Sequence, residues 1–188
     1  GNQSMQWLDT TNSATGGALI VNQTVPASPA GASAIQTIDF RLNPTATYND
    51  LWVCAYGNWG TASAVHITST NPTSGRLSAG VSGSDTYLGP ISVGVWYRAQ
   101  VVLGAPSAGK SNATLSLTPW NGNGPGATVS YTIDGIPAVE TSGFTGISLT
   151  TGGGPGASEN LSIDNLGITT NATLFVPPNR GVDPGLVA

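Results

Sequence analysis

Residues 161–169 read LSIDNLGIT, and the apolar side chains of this stretch change parity at its centre. Leu161 and Ile163 fall on one parity, whereas the two apolar residues that follow fall on the other. Because successive side chains of a β-strand point to opposite faces, a regular strand cannot turn all of them toward one core. One inserted residue removes the conflict, so the stretch predicts a strand with a β-bulge near Asp164-Asn165.

The chain around this stretch reads as a series of short strands separated by turns rich in Gly, Asn and Pro. Residues 95–103 give the longest alternation. Residues 34–42 place Ile38 and Phe40 on one parity and Asp39 on the other, which predicts a half-buried strand. The pattern is typical of an antiparallel sandwich of about ten strands. The predicted strands are residues 5–8, 18–25, 34–42, 51–56, 63–69, 76–81, 95–103, 113–118, 128–133, 144–150 and 161–169.

The composition indicates one folded domain rather than a disordered chain. Charged residues make up 7% of the 188 residues, against roughly 25% in a typical soluble domain. Disorder normally accompanies high net charge and few aromatic residues, whereas this chain has five Trp and five Tyr. We predict one β-sandwich domain over residues 1–169 and an extended C-terminal tail over residues 170–188.

The charge distribution argues against nucleic acid as a partner. Five basic residues against nine acidic ones give a net charge of -4, and the basic residues are too scattered to neutralise a row of phosphates. No apolar run approaches the ~18 residues of a membrane span, and no signal region opens the chain. We therefore predict no transmembrane segment and an extracellular or cell-surface protein in its mature form, after signal-peptide removal.

Glycosylation sequons support that setting only weakly, because a chain rich in Asn, Ser and Thr generates them by chance. Whether any of them is used is left open by the sequence. They begin at Asn2, Asn22, Asn112, Asn160 and Asn171.

Three segments of the C-terminal half carry a resemblance to a known family. They are GVWYRAQVVL at residues 94–103, YTIDG at 131–135 and LSIDNLGI at 161–168. Together they resemble the Trp-Tyr strand, hairpin and terminal Asp-Asn strand of concanavalin A-like lectin/glucanase (laminin G-like) jelly-roll domains. The resemblance covers roughly residues 34–169 and implies two packed, curved antiparallel sheets. We therefore expect an all-β, two-sheet jelly-roll sandwich without substantial helix.

The chain lacks the carboxylate pattern of the glucanases in that superfamily. Such an enzyme would carry paired carboxylates on one strand, in a Glu-x-Asp-x-x-Glu arrangement, as acid and nucleophile. Glu140 and Glu159 stand in loop-like surroundings, and Asp134 reads as a turn residue. His66 has no Ser-His-Asp or metal-ligand spacing around it. We therefore expect a non-catalytic protein.

Asp164 and Asn165 are the candidate metal ligands. Their oxygens could contribute to a Ca²⁺ site, which needs about six to eight such ligands. The same side chains can instead bond the local backbone groups that a bulge leaves unpaired. We favour the structural role, keep Ca²⁺ as the alternative, and predict no other cofactor.

Aromatic residues and asparagines supply a candidate carbohydrate-binding site. Flat indole faces can stack on pyranose rings while neighbouring amides orient the hydroxyls. A large sandwich also needs big side chains to fill it, and packing is the interpretation that we favour for Trp96. Residues 120–126 are predicted to form a Gly-rich loop. The candidate residues are Trp52, Tyr56, Trp59, Trp120, Asn121 and Asn123.

The C-terminal tail is the candidate assembly segment. Leu174, Phe175 and Val176 form a strand-like triplet that Pro177 and Pro178 end, because proline cannot join a central ladder. The triplet could lie on its own sandwich or add a strand to the sheet edge of a neighbouring copy.

Two functions remain open. The first is a self-associating structural subunit of a fibre, sheath or surface layer, whose partners are copies of itself, because low charge reduces repulsion between copies. The alternative is a lectin-like module that binds polysaccharide, which the family resemblance and the tryptophans favour. Fold alone does not decide between them.

Overall fold

The computed structural model describes residues 5–9, 18–24, 33–44, 49–57, 64–69, 74–80, 86–105, 107–137, 144–152 and 159–170. Side chains are described over residues 33–44, 51, 74–78, 86–105, 107–135 and 160–165. All regular structure in these ranges is β-strand, so they contain no helix that could span a membrane.

Thirteen strands follow one another along the described chain. Their bounds are β1 Met5–Asp9, β2 Ala18–Thr24, β3 Ala34–Leu42, β4 Asn49–Gly57, β5 Ala64–Ser69, β6 Ser74–Gly80, β7 Thr86–Ser92, β8 Trp96–Leu103, β9 Lys110–Asn121, β10 Gly124–Pro125, β11 Val129–Pro137, β12 Phe144–Gly152 and β13 Glu159–Thr170.

The strands form two antiparallel sheets. One has seven strands in the order β1-β13-β3-β8-β9-β10, with β11 also paired to β9. The other has six strands in the order β2-β12-β4-β5-β6-β7. Strands distant in sequence therefore lie side by side, and the molecule is an all-β, two-sheet jelly-roll sandwich, as the sequence predicts.

The core lies between the two sheets and follows the period-two pattern of the strands. Every second residue of β8 is buried, and its Tyr97 ring stacks on Phe40 of β3 with 5.7 Å between centroids. Leu77 and Ile91 join the same cluster from the six-stranded sheet. The phenolic oxygen of Tyr97 accepts a hydrogen bond from the Ser92 backbone N–H at 2.9 Å, so the buried ring also has a polar partner for its hydroxyl.

The predicted bulge in β13 is confirmed. Asp164 lies opposite Asp39 of β3 and Gly167 lies opposite Thr37, so β13 advances one residue more than its partner. Asn165 takes up the extra residue in the left-handed region, with φ 50°. Asparagine tolerates this region better than most residues, because its short polar side chain bonds locally.

Three predictions about individual strands need correction. Residues 34–42 are not half-buried: Thr37 and Asp39 are buried as well, on a strand flanked by β13 and β8. The strand β7 was not predicted, because its Gly89 and Pro90 read as breakers. Trp120 belongs to β9 and not to a Gly-rich loop, because the strand continues to Asn121 before the chain turns.

The division into a sandwich and a tail stays a prediction. The last described strand ends at Thr170, one residue beyond the predicted domain boundary. Leu174, Phe175 and Val176 lie outside the described residues, and so does Trp59.

Gly75 of β6 marks a close approach between the sheets. A Cβ at this position would lie 2.6 Å from Ile91 Cγ1 and 2.8 Å from Leu42 Cδ1. We expect Gly75→Ala to lower the free energy of unfolding by about 1–3 kcal/mol through overpacking. Urea unfolding measures the loss. Gly122→Ala is the matched control, because a Cβ there meets nothing within 4 Å, and equal losses in the two variants would contradict the packing explanation.

Candidate functional site

The face of the seven-stranded sheet that points away from the six-stranded sheet, which we call the outer face, collects polar and aromatic side chains. Antiparallel partners that lie directly opposite each other share a face. The first row across the strands β13, β3, β8 and β9 is therefore Ser162, Arg41, Trp96 and Trp120.

The second and third rows are polar throughout. The second contains Asp164, Asp39, Arg98 and Thr118, and the third contains Thr37, Gln100, Ser116 and Ser130. Neighbouring rows on one face are about 6.7 Å apart and neighbouring strands about 4.8 Å.

Trp96 and Trp120 form a cross-strand pair at one end of this face. Both tryptophans are partly exposed. Among the described side chains, the rings that stack on each other are those of Phe40 and Tyr97, and the two indoles form no such pair. The two indoles therefore do not cover each other's faces.

The hairpin after β9 positions Trp120. Residues 122–123 form the turn, Gly124 has a φ of 127° that favours glycine, and Pro125 lies opposite Trp120. The Gly126 N–H then donates to the Pro119 carbonyl oxygen at 2.7 Å, which closes the hairpin.

Arg98 and Asp39 form a two-pronged ion pair in the second row. Arg98 Nε donates to Asp39 Oδ1 at 2.7 Å, and Nη2 donates to Oδ2 at 2.6 Å. Asn165 Nδ2 donates to the same Oδ2 at 2.6 Å, so the bulge adds a third donor. The Arg98 side chain is 24% exposed and that of Asp39 is 13% exposed. Because solvent screens this ion pair less than a fully exposed one, its two-pronged geometry contributes more to stability.

The Asp39 carboxylate raises the pKa of the Arg98 guanidinium, mainly through the side-chain hydrogen bond and against the opposing effect of burial. A raised folded-state pKa gives a stabilisation that is complete below the ordinary pKa of the group and is lost only as the pH rises through the folded value. For arginine that window lies in strong alkali, so Arg98 stays charged across the range in which proteins are studied.

Hydroxyl groups cover the part of the outer face formed by β9 and β11. Ser116 and Ser130 are 3.2 Å apart between hydroxyl oxygens, and Thr118 and Thr128 are 2.8 Å apart. Hydroxyls act both as donors and as acceptors, so this strip can exchange hydrogen bonds with a hydroxylated ligand.

The predicted carbohydrate residues do not come together. Trp120 and Asn121 end β9, and Asn123 is exposed in the following turn. Trp52 and Tyr56 belong to β4, which lies in the other sheet. The structure therefore divides the predicted set between two sheets.

The pair Asp164 and Asn165 makes the local bonds expected of a bulge. Asp164 Oδ1 accepts the Asn165 backbone N–H at 2.7 Å, while the Asn165 amide donates to Asp39. Over the described part of the chain, no group of three or more His, Cys, Asp or Glu is arranged to hold a metal ion. Calcium binding by this pair stays untested.

The polar side chains of the sequon at Asn160 form hydrogen bonds within the fold. Asn43 is 8% exposed, and its Nδ2 donates to Asn160 Oδ1 at 2.8 Å and to Ser162 Oγ at 3.1 Å. Both polar side chains of that sequon thus bond a buried asparagine, whereas Asn112, in another sequon, is exposed.

Trp96, Arg98 and Asp39 were not predicted as site residues. The sequence places Trp96 and Arg98 on the parity of β8 opposite to Tyr97, and this outward parity was the available signal. Because Trp96 was interpreted as a packing residue, its outward parity was not used to predict a site.

Comparison with known proteins identifies a fold and no family. No protein-family model matches the chain, and no curated protein matches it. Among solved structures, the marine PL-14 alginate lyase from Aplysia kurodai matches with a TM-score of 0.50 and 13% identity, over 77% of this chain and 72% of the lyase. The CBM2 module of the evolved Dit of Lactobacillus casei BL23 phage J-1 matches with a TM-score of 0.50 and 12% identity, over 81% of this chain and 69% of that one. At such identities the likeness concerns architecture, and the chain is an antiparallel β-sandwich like these two proteins.

Proposed function

We propose that the chain is a non-catalytic, extracellular, lectin-like module of the concanavalin A-like type that binds polysaccharide on its outer face. The observation that carries the proposal is the cross-strand pair of partly exposed tryptophans, Trp96 and Trp120, in the first row of that face.

The indole pair offers a stacking surface of suitable size. Indole rings combine a large apolar face with a polar edge, and they suit ligands that are themselves part apolar and part hydroxylated. Because the two rings do not stack on each other and lie on neighbouring strands about 4.8 Å apart, together they can support adjacent parts of a sugar chain.

The rest of the outer face supplies hydrogen-bonding partners at fixed positions. Gln100, Ser116 and Thr118 lie in the two rows next to the tryptophans. Their strands are paired on both sides, so little backbone order must be gained on binding, which favours affinity.

The carboxylates of the face are engaged in ways that oppose glycosidic catalysis. A glycosidase needs one protonated acid besides a second carboxylate. Both oxygens of Asp39 accept hydrogen bonds from Arg98, and Asp164 accepts a backbone N–H. Because these contacts occupy both oxygens of Asp39 and one oxygen of Asp164, we propose binding without catalysis.

The two structural likenesses concern the fold and do not carry this proposal. One protein is named as an alginate lyase and the other as a CBM2 module, and both relate to this chain through fold alone. The alternative of a self-associating structural subunit is based on the low charge of the chain and on the triplet Leu174, Phe175 and Val176, which lies outside the described residues.

We expect Trp96→Ala and Trp120→Ala each to weaken polysaccharide binding about tenfold, because each removes one stacking ring and tenfold corresponds to about 1.4 kcal/mol. Affinity gel electrophoresis against laminarin, hydroxyethylcellulose, galactan and alginate measures the effect. Tyr87→Ala is the control, because it removes an aromatic ring that is 50% exposed on the other sheet. Binding that resists both tryptophan changes, or no binding by the unmodified protein, would refute the proposal.

A further inference from the structure

We propose that Arg41 forms a subsite for an acidic sugar, one that carries a carboxylate or a sulfate ester, beside the Trp96/Trp120 pair. The inference rests on the proposed function and specifies its ligand class. It follows from the position of Arg41 and from the absence of a protein partner for its guanidinium group among the described residues.

Arg41 lies next to the aromatic pair on the same face. Its Cα partner on β8 is Trp96, whose own partner on β9 is Trp120, so the three side chains form one row. With neighbouring strands about 4.8 Å apart, the long Arg41 side chain can reach a substituent of a sugar ring that is stacked on Trp96.

The guanidinium group of Arg41 differs from those of the other two described arginines. Arg98 is paired with Asp39, and Arg76 donates from Nε to Ser78 Oγ at 3.3 Å and lies 4.6 Å from the centre of the Tyr87 ring. Arg41 makes no hydrogen bond or ion pair with any described residue, and its Nε is buried without a partner. Nε itself is enclosed, but Arg41 as a residue is partly exposed, so a ligand acceptor would bond the remaining N–H groups of the guanidinium, which no described residue engages.

The acidic groups of the face accept hydrogen bonds from residues other than Arg41. Asp39 is two residues along the same strand, but its carboxylate is held by Arg98 and Asn165. Asp164 lies opposite Asp39 in the second row and accepts the Asn165 N–H. The first row therefore has one positive charge and no carboxylate of its own.

A planar guanidinium matches the geometry of a carboxylate or sulfate group, which it can bind through two parallel N–H donors. Since the chain carries a net charge of -4, long-range attraction does not favour an anionic polymer. Selectivity must come from a local cation, and Arg41 is placed where a stacked sugar would present its charged substituent.

The test compares three oligosaccharide probes of similar length by calorimetry at low and high NaCl: an oligouronate, a sulfated galactan fragment and a neutral laminarin fragment. The unmodified protein should bind one acidic probe about tenfold more tightly than the neutral probe. Whichever anion is preferred distinguishes carboxylate from sulfate, and the preference should shrink at high salt.

Arg41→Gln should reduce acidic binding to the level of the neutral probe and leave neutral binding unchanged, and Arg41→Lys should keep part of the preference. Lys110→Gln is the matched control, because it removes the same charge from an exposed position at the start of β9. Equal acidic binding by the unmodified protein and Arg41→Gln would overturn the inference. If the neutral probe binds in a Trp96-dependent way without any acidic preference, only the subsite fails. If no probe binds, the proposed function fails with it.

Discussion

Replacing Arg98 with methionine is expected to lower the free energy of unfolding by about 3 kcal/mol, measured by urea unfolding. The change removes two of the three hydrogen bonds to Asp39 and leaves a carboxylate whose side chain is 13% exposed without its countercharge. Methionine preserves most of the length of the side chain, so the loss reports the charge rather than the packing of the stem. An unpaired buried charge costs more than the pair itself contributes.

A second variant separates these two effects. Arg98→Met combined with Asp39→Leu removes both charges, and we expect it to recover most of the lost stability, with a remaining cost of about 1 kcal/mol because Asn165 loses its acceptor. Arg76→Met is the control: Arg76 is an exposed arginine on the other sheet, and its loss should cost less than about 0.5–1 kcal/mol. A single Arg98 variant no less stable than the Arg76 variant would show that the ion pair does not stabilise the fold. A double variant as unstable as the single one would show that the isolated charge is not the cause.

Strands whose alternation of apolar and polar residues lies within one short stretch could be predicted from the sequence. In residues 34–42 and 95–103 the period of two is carried by consecutive residues, and the break of parity in residues 161–169 indicates the bulge without any knowledge of the partner strand. The strand β7 was missed for a physical reason. Among the described strands it pairs only with β6, and an edge strand tolerates Pro90 because one side of its backbone needs no partner.

The candidate site depends on register, which the sequence does not carry. Trp96 meets Trp120 because β8 and β9 pair in one particular alignment, and Asp39 meets Arg98 across 59 positions of sequence. Each residue taken alone has the character of an ordinary outward side chain. The predicted set that included Trp52 and Tyr56 grouped aromatic residues and asparagines by their residue type, whereas the topology assigns β4 to the other sheet.

Substitutions of Asn165 are expected to have the second large effect, because its left-handed backbone conformation and its side-chain amide both stabilise the bulge in β13. We expect Asn165→Gly to lower the free energy of unfolding by about 1–2 kcal/mol, since glycine accepts the φ of 50° and only the hydrogen bond to Asp39 is lost. Asn165→Ala loses the same bond and adds the steric cost of a Cβ in this region, so it should be about 1 kcal/mol less stable than the glycine variant. The difference between the two variants measures the backbone contribution.

Asn165→Asp should be the most damaging change of the series, at about 3 kcal/mol near pH 7. The amide nitrogen lies 2.6 Å from Asp39 Oδ2, so a carboxylate there replaces a donor with a like charge, while Asp164 adds a third acidic group beside it. Like charges raise the pKa of the introduced carboxyl in the folded variant above its unfolded value of about 4. The loss of stability caused by this repulsion is therefore absent below about pH 4. It grows as the pH rises above about 4 and is complete above the raised pKa. Urea unfolding at pH 3.5 and pH 7 should therefore show the aspartate variant approaching the glycine variant in acid and falling well below it at neutral pH. A difference between them that does not change with pH would mean that the amide of Asn165 acts through its shape, and that the carboxylate of Asp39 is not the partner on which the bulge depends.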